Sequence, residues 1–109
     1  MTTTPNPTLG RLLLTGAAGG LGKVLREKLQ PYARIIRLSD IAPMAPAAGE
    51  HEEVMPCDLA DKAAVHALCE GVDAIAHFGG VSVERPFEEI LDANIRGTFH
   101  IYEAARLHG

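Results

Sequence analysis

The glycine-rich segment at residues 15–22, TGAAGGLG, is the part of the sequence best suited to bind a ligand. It follows a short apolar run and precedes a helical pattern, which is the setting in which spaced glycines bind a dinucleotide. Glycine permits the tight turn, and the first N–H groups of the helix then point at the diphosphate. The predicted cofactor contacts in this segment are Gly16, Gly19, Gly20, Leu21 and Gly22. The alternative is a glycine-rich turn that only reverses the chain.

An acidic residue, Asp40, ends the second predicted strand eighteen residues beyond Gly22. A carboxylate at this place can accept both hydroxyls of an adenosine ribose, and its charge repels a 2′-phosphate. Ile41 and Ala42 offer no cation for such a phosphate, and strand alternation directs Arg37 to the opposite face of the sheet. We therefore expect NAD rather than NADP, bound beside Asp40 and Ile41. A solvated turn aspartate is the alternative.

A second acidic position, Asp58, follows a short third predicted strand and precedes Leu59. The run Asp58-Leu-Ala-Asp61 is also typical of a helix start, with Asp58 or Asp61 as the N-cap. The residues by themselves leave open whether Asp58 caps the helix, binds a ligand, or does both.

Residues 77–82, HFGGVS, leave the fourth predicted strand at the edge of the sheet where open parallel sheets bind ligands. The predicted cofactor contacts here are Phe78, Gly79, Gly80 and Val81. Ser82 is a small hydrogen-bond donor and acceptor just past the turn, where it could bind a ligand. The alternative is an ordinary turn serine without a binding role. His77 has no partner at metal-ligand spacing, so we interpret it as a satisfied core residue and expect no metal site.

Asn94 is the polar exception on an apolar helical stripe, spaced in alternating three- and four-residue steps, that includes Leu91, Thr98, Ile101 and Ala105. A buried amide without partners costs about 1–3 kcal/mol, so we expect it to be hydrogen-bonded. A structural tie between helix and sheet would satisfy it.

The composition is that of an ordinary globular domain: 109 residues, 47% of them hydrophobic and 5% aromatic. Fibrous, disordered and membrane-spanning classes are excluded, because no apolar run approaches about 20 residues. The formal net charge is −4 and the basic residues are scattered, which argues against a nucleic acid partner. The first residues resemble no targeting segment, so we expect a cytoplasmic protein in which Cys57 and Cys69 stay reduced.

Alternating strand and helix patterns position these residues. The predicted strands are centred on 12–14, 34–39, 53–57 and 72–78, and the predicted helices cover about 21–30, 61–70 and 86–108. The first helix carries an apolar stripe of Leu21, Val24, Leu25 and Leu29. This order predicts an α/β fold: a Rossmann-type parallel sheet with helices on both faces, the N-terminal half of a doubly wound domain. We expect residues 1–10 to be a flexible lead and 11–109 to be an NAD-binding half-domain.

Several longer blocks carry a family resemblance: KVLREKL after the glycines, CDLAD at 57–61, HFGGVSVERPFEEIL at 77–91 and ANIRGTFHIYEAAR at 93–106. With them the chain resembles the extended short-chain dehydrogenase/reductases, and within that branch the uronate dehydrogenases. The resemblance implies oxidation of galacturonate or glucuronate at C1 to an aldarolactone, with reduction of NAD. It also implies that Asp58 and Leu59 contact the adenine, that Ser82 holds a sugar hydroxyl or carboxylate, and that Asn94 supports a proton relay.

The tyrosine of that family's chemistry, with a lysine four residues later, has no counterpart among the 109 residues. Tyr32 and Tyr102 are followed four positions on by Ile36 and Arg106. We therefore expect this chain to be the cofactor-binding part of a longer enzyme, inactive alone, and either marginally stable or homo-oligomeric. The alternatives are a nucleotide-sugar epimerase or dehydratase and a non-catalytic NAD-binding module.

Overall fold

A computed structural model describes residues 9–80 and 86–108. Four parallel strands form one sheet in the order β3-β2-β1-β4. The strands are β1 Leu9–Thr15, β2 Ala33–Ser39, β3 Glu52–Val54 and β4 Ala74–His77. The helices are α1 Gly20–Lys28, α2 Lys62–Cys69, α3 Phe87–Ile90 and α4 Gly97–His108. A 3₁₀ turn at Gln30–Tyr32 precedes β2, and a π-helical segment at Leu91–Arg96 joins α3 to α4.

Two apolar clusters cover the two faces of the sheet. On one face, Leu12 and Leu14 of β1 pack with Ile36 of β2 and with the partly buried Leu25 of α1. On the other face, Leu13 belongs to a cluster with α2 and α4. The unbroken leucine run of β1 is explained by this arrangement, because a strand covered on both faces buries every side chain. The predicted parallel α/β sheet with helices on both faces is confirmed.

The predicted apolar stripe of α1 is only half right. Leu25 and Leu29 pack on the sheet. Leu21 and Val24 are instead 55% and 52% exposed. The stripe prediction failed because helical spacing identifies a face but not how far a neighbouring surface extends along it.

The last helix also differs from the prediction of one continuous helix from Pro86. The π-helical segment at Leu91–Arg96 holds Asn94, and π-helical turns are rare and frequently lie at functional sites. The buried residues of α4 are Gly97, Ile101 and Ala104, whereas the predicted stripe named Ala105. A wider turn changes the phase of the residues that follow, and alternating three- and four-residue steps give no sign of it.

Strand boundaries move by a few residues from the predicted ones. β1 begins at Leu9, inside the predicted lead, and β3 is only three residues long. Within the described ranges, no helix is long and apolar enough to cross a bilayer.

Candidate functional site

A cleft of about 470 Å³ opens at the carboxyl edge of the sheet. The segments that follow all four strands reach it. Its lining residues are Thr15, Gly16, Gly19, Ser39, Asp40, Ile41, Cys57, Asp58, Leu59, His77, Phe78, Gly79, Gly80, Asn94 and Thr98. The structure thus gathers most of the predicted cofactor contacts and Asn94 around one space, at the place where parallel sheets bind ligands.

The glycine-rich turn after β1 forms the middle of this cleft. Gly16 has φ 71°, and a Cβ built on it would lie 2.5 Å from the carbonyl oxygen of Phe78. A Cβ on Gly22 would lie 2.1 Å from the carbonyl oxygen of Gly16. Glycine is therefore required twice: once for the left-handed backbone, and once so that α1 can approach the turn.

The N-terminus of α1 presents open donors near this turn. Gly19 is the N-cap and contributes no side-chain hydrogen bond to the first turn. The first N–H groups of a helix have no partner within the helix, so they can bind an anion. Gly20, Leu21 and Gly22 lie in this first turn and not among the cleft-lining residues. Their amides as diphosphate ligands stay a prediction.

Asp40 lies at the end of β2 and is fixed by two main-chain donors. Its Oδ2 accepts the N–H of Ala18 at 3.0 Å, and its Oδ1 accepts the N–H of Ala42 at 3.0 Å. Arg37 points to the other face, as predicted, where its guanidinium donates to the carbonyl oxygens of Leu68 and Glu70 at the end of α2. No cation from this strand therefore accompanies Asp40 in the cleft.

The segment after β3 forms a further wall. The N-cap of α2 is Asp61, whose carboxylate accepts the N–H of Ala64 at 3.1 Å. The alternative of Asp58 as the helix cap is therefore wrong; its Oδ1 accepts the N–H of Ala60 at 2.9 Å and the residue lines the cleft. His100 of α4 holds this segment, because its Nδ1 lies 2.8 Å from the carbonyl oxygen of Leu59.

Cys57 is the buried thiol of the cleft wall, only 8% exposed. Burial, together with the nearby negative charges of Asp61 and Asp58, raises the pKa of the Cys57 thiol to about 11. The thiol is therefore protonated and unreactive at neutral pH. Both Cys57 and Cys69 are free thiols.

The segment after β4 lies against β1. The Thr15 hydroxyl oxygen accepts the N–H groups of Phe78 and Gly79, each at 2.9 Å, and lies 2.6 Å from Nδ1 of His77. A Cβ on Gly80 would lie 2.7 Å from Oδ1 of Asn94, which places that amide beside the turn. Val81 and Ser82, the other predicted contacts of this segment, lie outside the described residues.

Sequence reasoning assigned no cleft role to Thr15, Ser39, Cys57, His77 or Thr98, although all five line the cleft. The signal that could have found them is their place in the pattern. Thr15 and Ser39 end strands that enter the cleft, and Thr98 lies four residues beyond Asn94. Which strand ends lie side by side depends on sheet order, and that order is not readable from one strand alone.

A family model described as the NAD dependent epimerase/dehydratase family matches residues 12–109. This chain belongs to that family. Within the family it is similar to the uronate dehydrogenase of Pseudomonas syringae pv. tomato, at 78% identity over 107 residues, which cover 98% of this chain and 38% of that protein. The chain therefore spans a little over a third of the length of this curated relative.

Solved structures of uronate-oxidising enzymes show the same fold as this family member. The crystal structure of uronate dehydrogenase from Agrobacterium tumefaciens gives a TM-score of 0.88 at 58% identity, covering 92% of this chain and 37% of that one. A mutant of that enzyme complexed with NAD matches equally well. Glucuronic acid dehydrogenase from Chromohalobacter salexigens gives a TM-score of 0.89 at 55% identity, covering 94% and 38% of the two chains.

Proposed function

We propose that this chain is the NAD-binding part of an enzyme that oxidises galacturonate or glucuronate at C1 to an aldarolactone. The observation that carries the proposal is the 78% identity to the Pseudomonas syringae uronate dehydrogenase over 98% of the chain. The match covers 98% of the chain, and so the segments that line the cleft. This chain would contribute the cofactor site of that enzyme.

The fixed carboxylate of Asp40 supports NAD as the cofactor. Each of its oxygens accepts one main-chain N–H and keeps a second lone pair for a ligand hydroxyl. The two free hydroxyls of the adenosine ribose of NAD suit these lone pairs. The 2′-phosphate of NADP would bring negative charge against a carboxylate that has no arginine from β2 beside it.

The order of the strands gives the direction in which the dinucleotide would lie. Since the order is β3-β2-β1-β4, the segments containing Asp58, Asp40, the glycine turn and Phe78–Gly80 follow one another across the sheet edge. Adenosine would lie between Asp58 and Asp40, and the diphosphate would lie at the turn. NAD would supply the nicotinamide that accepts the hydride, at the end of the cleft near Gly80.

The nicotinamide end of the cleft is where we place the substrate. Asn94 lies beside Gly80 and reaches the cleft, so its amide is placed to hold a water or a side chain of a proton relay. Val81 and Ser82 follow directly in the sequence, and we propose that they contact the cofactor and the sugar acid. The −4 net charge and scattered basic residues support a small-molecule partner over a nucleic acid. A cytoplasmic location and homo-oligomeric assembly are parts of the same proposal.

A chimera tests the proposed function. The 107 matching residues of the Pseudomonas syringae enzyme are replaced with the corresponding part of this chain, and NADH formation is followed with galacturonate, glucuronate and a nucleotide sugar. We expect kcat/KM for the uronic acids to stay within about tenfold of the parent enzyme, because the exchanged segments are 78% identical. A tenfold change corresponds to about 1.4 kcal/mol of transition-state stabilisation. The matched control is the same chimera carrying Asp40→Ala, which should raise KM for NAD.

Two outcomes would contradict the proposal. A folded chimera that binds NAD but oxidises neither uronic acid would remove the uronate assignment. Conversion of the nucleotide sugar alone would favour the epimerase or dehydratase alternative. The chain by itself should bind NAD without turnover, because its sequence lacks the tyrosine and lysine pair; turnover by the purified chain would show that pair to be unnecessary.

A further inference from the structure

Thr15 and His77 form the last matched pair of the β1 and β4 ladder, at the edge where the cleft opens. The Thr15 hydroxyl oxygen lies 2.6 Å from Nδ1 of His77. The same oxygen accepts the N–H of Phe78 and of Gly79, each at 2.9 Å. The N–H of Phe78 also lies 3.3 Å from the main-chain oxygen of Thr15, a longer contact.

The hydrogen-bonding capacity of the Thr15 hydroxyl decides whether this hydroxyl or Nδ1 of His77 is the donor in their contact. A threonine hydroxyl has two acceptor lone pairs and one proton to donate, and a main-chain N–H can only donate. Once two N–H groups occupy the lone pairs of Thr15, the remaining contact with His77 uses the proton of Thr15. Nδ1 of His77 must then be the acceptor, and it carries no proton.

We propose that His77 is a positioning residue of the cleft, which acts as a neutral imidazole protonated at Nε2 and orients the Thr15 hydroxyl. The other ring nitrogen fits this assignment, since Nε2 lies 3.4 Å from the hydroxyl oxygen of Thr98. The Thr15 hydroxyl on β1 thus contacts one ring nitrogen, and the Thr98 hydroxyl on α4 contacts the other. Burial alone lowers the pKa of His77, which favours the same neutral form.

The orientation of the Thr15 hydroxyl affects the glycine turn through the main chain. Thr15 directly precedes Gly16, which lies against the carbonyl group of Phe78. A Cβ built on Gly16 would be only 2.5 Å from that carbonyl oxygen. The hydroxyl that His77 orients therefore fixes the backbone on which the turn rests. This step rests on the proposed function, because it predicts that His77 affects NAD affinity through the Thr15 hydroxyl.

The protonation state can be measured directly. In protein labelled with ¹⁵N-histidine, ring nitrogen shifts of His77 are assigned by their loss in His77→Asn. We expect Nδ1 in the range of an unprotonated acceptor and Nε2 in the range of an N–H nitrogen. His100 is an internal reference with the opposite tautomer. Its Nδ1 lies 2.8 Å from the carbonyl oxygen of Leu59, which can only accept, so this Nδ1 carries a proton. A proton on Nδ1 of His77 would overturn the inference.

Matched variants separate positioning from packing. An asparagine at residue 77 places an amide oxygen near the Nδ1 position, whereas leucine offers no acceptor. For NAD binding by calorimetry, we expect His77→Asn to stay within about threefold of the parent and His77→Leu to weaken binding about tenfold or more. Thr15→Ser should likewise retain binding that Thr15→Val loses.

The outcomes are separable from those of the proposed function. Equal NAD affinity in His77→Leu and the parent would overturn the positioning role. If the parent itself bound no NAD, the proposed function would fail, and the ring nitrogen shifts would still decide the tautomer. If His77→Leu failed to fold, the Thr15→Ser and Thr15→Val pair would give the same comparison.

Discussion

Asp40 and Ala18 are joined by a direct hydrogen bond of 3.0 Å from the main-chain N–H of Ala18 to Oδ2 of the carboxylate. The residue proposed to hold the adenosine ribose is therefore bonded to the turn proposed to hold the diphosphate. Two parts of the proposed NAD site are thus set relative to each other without a ligand, which would reduce the ordering cost of binding.

Changing the charge at the end of β2 should change the cofactor preference. We expect Asp40→Ala combined with Ile41→Arg to improve the ratio of NADP to NAD affinity by about 100-fold, because repulsion is removed and a phosphate partner is added. Ile41→Arg alone is the control for the added cation. Calorimetric titration with both cofactors measures the ratio, and an unchanged ratio in the double variant would contradict the role of Asp40.

Gly20 and Gly22 both lie in the first turn of α1 and make a matched stability test. Gly22→Ala should destabilise the protein by about 2 kcal/mol or more, since its Cβ would lie 2.1 Å from the oxygen of Gly16. Gly20→Ala meets nothing within 4 Å and should leave the free energy of unfolding within about 0.5 kcal/mol. Urea unfolding measures both, and equal effects would contradict the close approach of α1.

The thiol of Cys57 should react slowly with Ellman's reagent. With a pKa of about 11, about 0.1% of the thiol is ionised at pH 8, and the rate should rise about tenfold per pH unit toward that pKa. The Cys69→Ser variant leaves Cys57 as the single thiol of the chain. NAD should slow the reaction further, because Cys57 lines the cleft. A rate equal to that of an unstructured cysteine peptide would contradict this burial.

The ion pair of Arg26 and Glu52 should make stability depend on acid pH. The Arg26 guanidinium donates to both carboxylate oxygens of Glu52 at 2.9 Å, and hydrogen bonding to Arg26 lowers the pKa of Glu52 below 4.5. A lowered pKa stabilises the fold above the unfolded value, and this contribution is lost as the pH falls from 4.5 through the folded pKa. At neutral pH, Glu52→Gln should cost about 1–3 kcal/mol.

The control for this titration is Glu103→Gln, which removes an exposed pair with Arg106 one helical turn away. Unfolding of the parent and of both variants is followed from neutral pH down to pH 3. The difference between the parent and Glu52→Gln should shrink in acid, whereas Glu103→Gln should follow the parent throughout. A difference that stays constant below pH 4.5 would show that Glu52 does not carry the effect.

The strands and their parallel arrangement could be predicted because their cause is local. Leu12–Leu14 are apolar without alternation, and both faces of β1 are covered. The order of strand, glycine turn and helix likewise predicts where a diphosphate would lie. Asp40 could be placed at the end of its strand for the same reason, because the segment before it has a clear strand pattern.

Features that depend on distant parts of the chain could not be predicted. The contact of Thr15 with His77 joins residues 62 positions apart and requires the register of β1 with β4. The exposure of Leu21 and Val24 depends on how far the sheet extends beneath α1. Asp58 and Asp61 are both good N-caps by residue type, and only the first turn of α2 shows that Asp61 accepts the N–H of Ala64.

The most direct test of the NAD site is a crystal structure of this protein soaked with NAD. The diphosphate should lie against the main chain at Gly19–Leu21, with both hydroxyls of the adenosine ribose within hydrogen-bonding distance of Asp40. NAD bound away from this turn, or a ribose without contact to Asp40, would contradict the account.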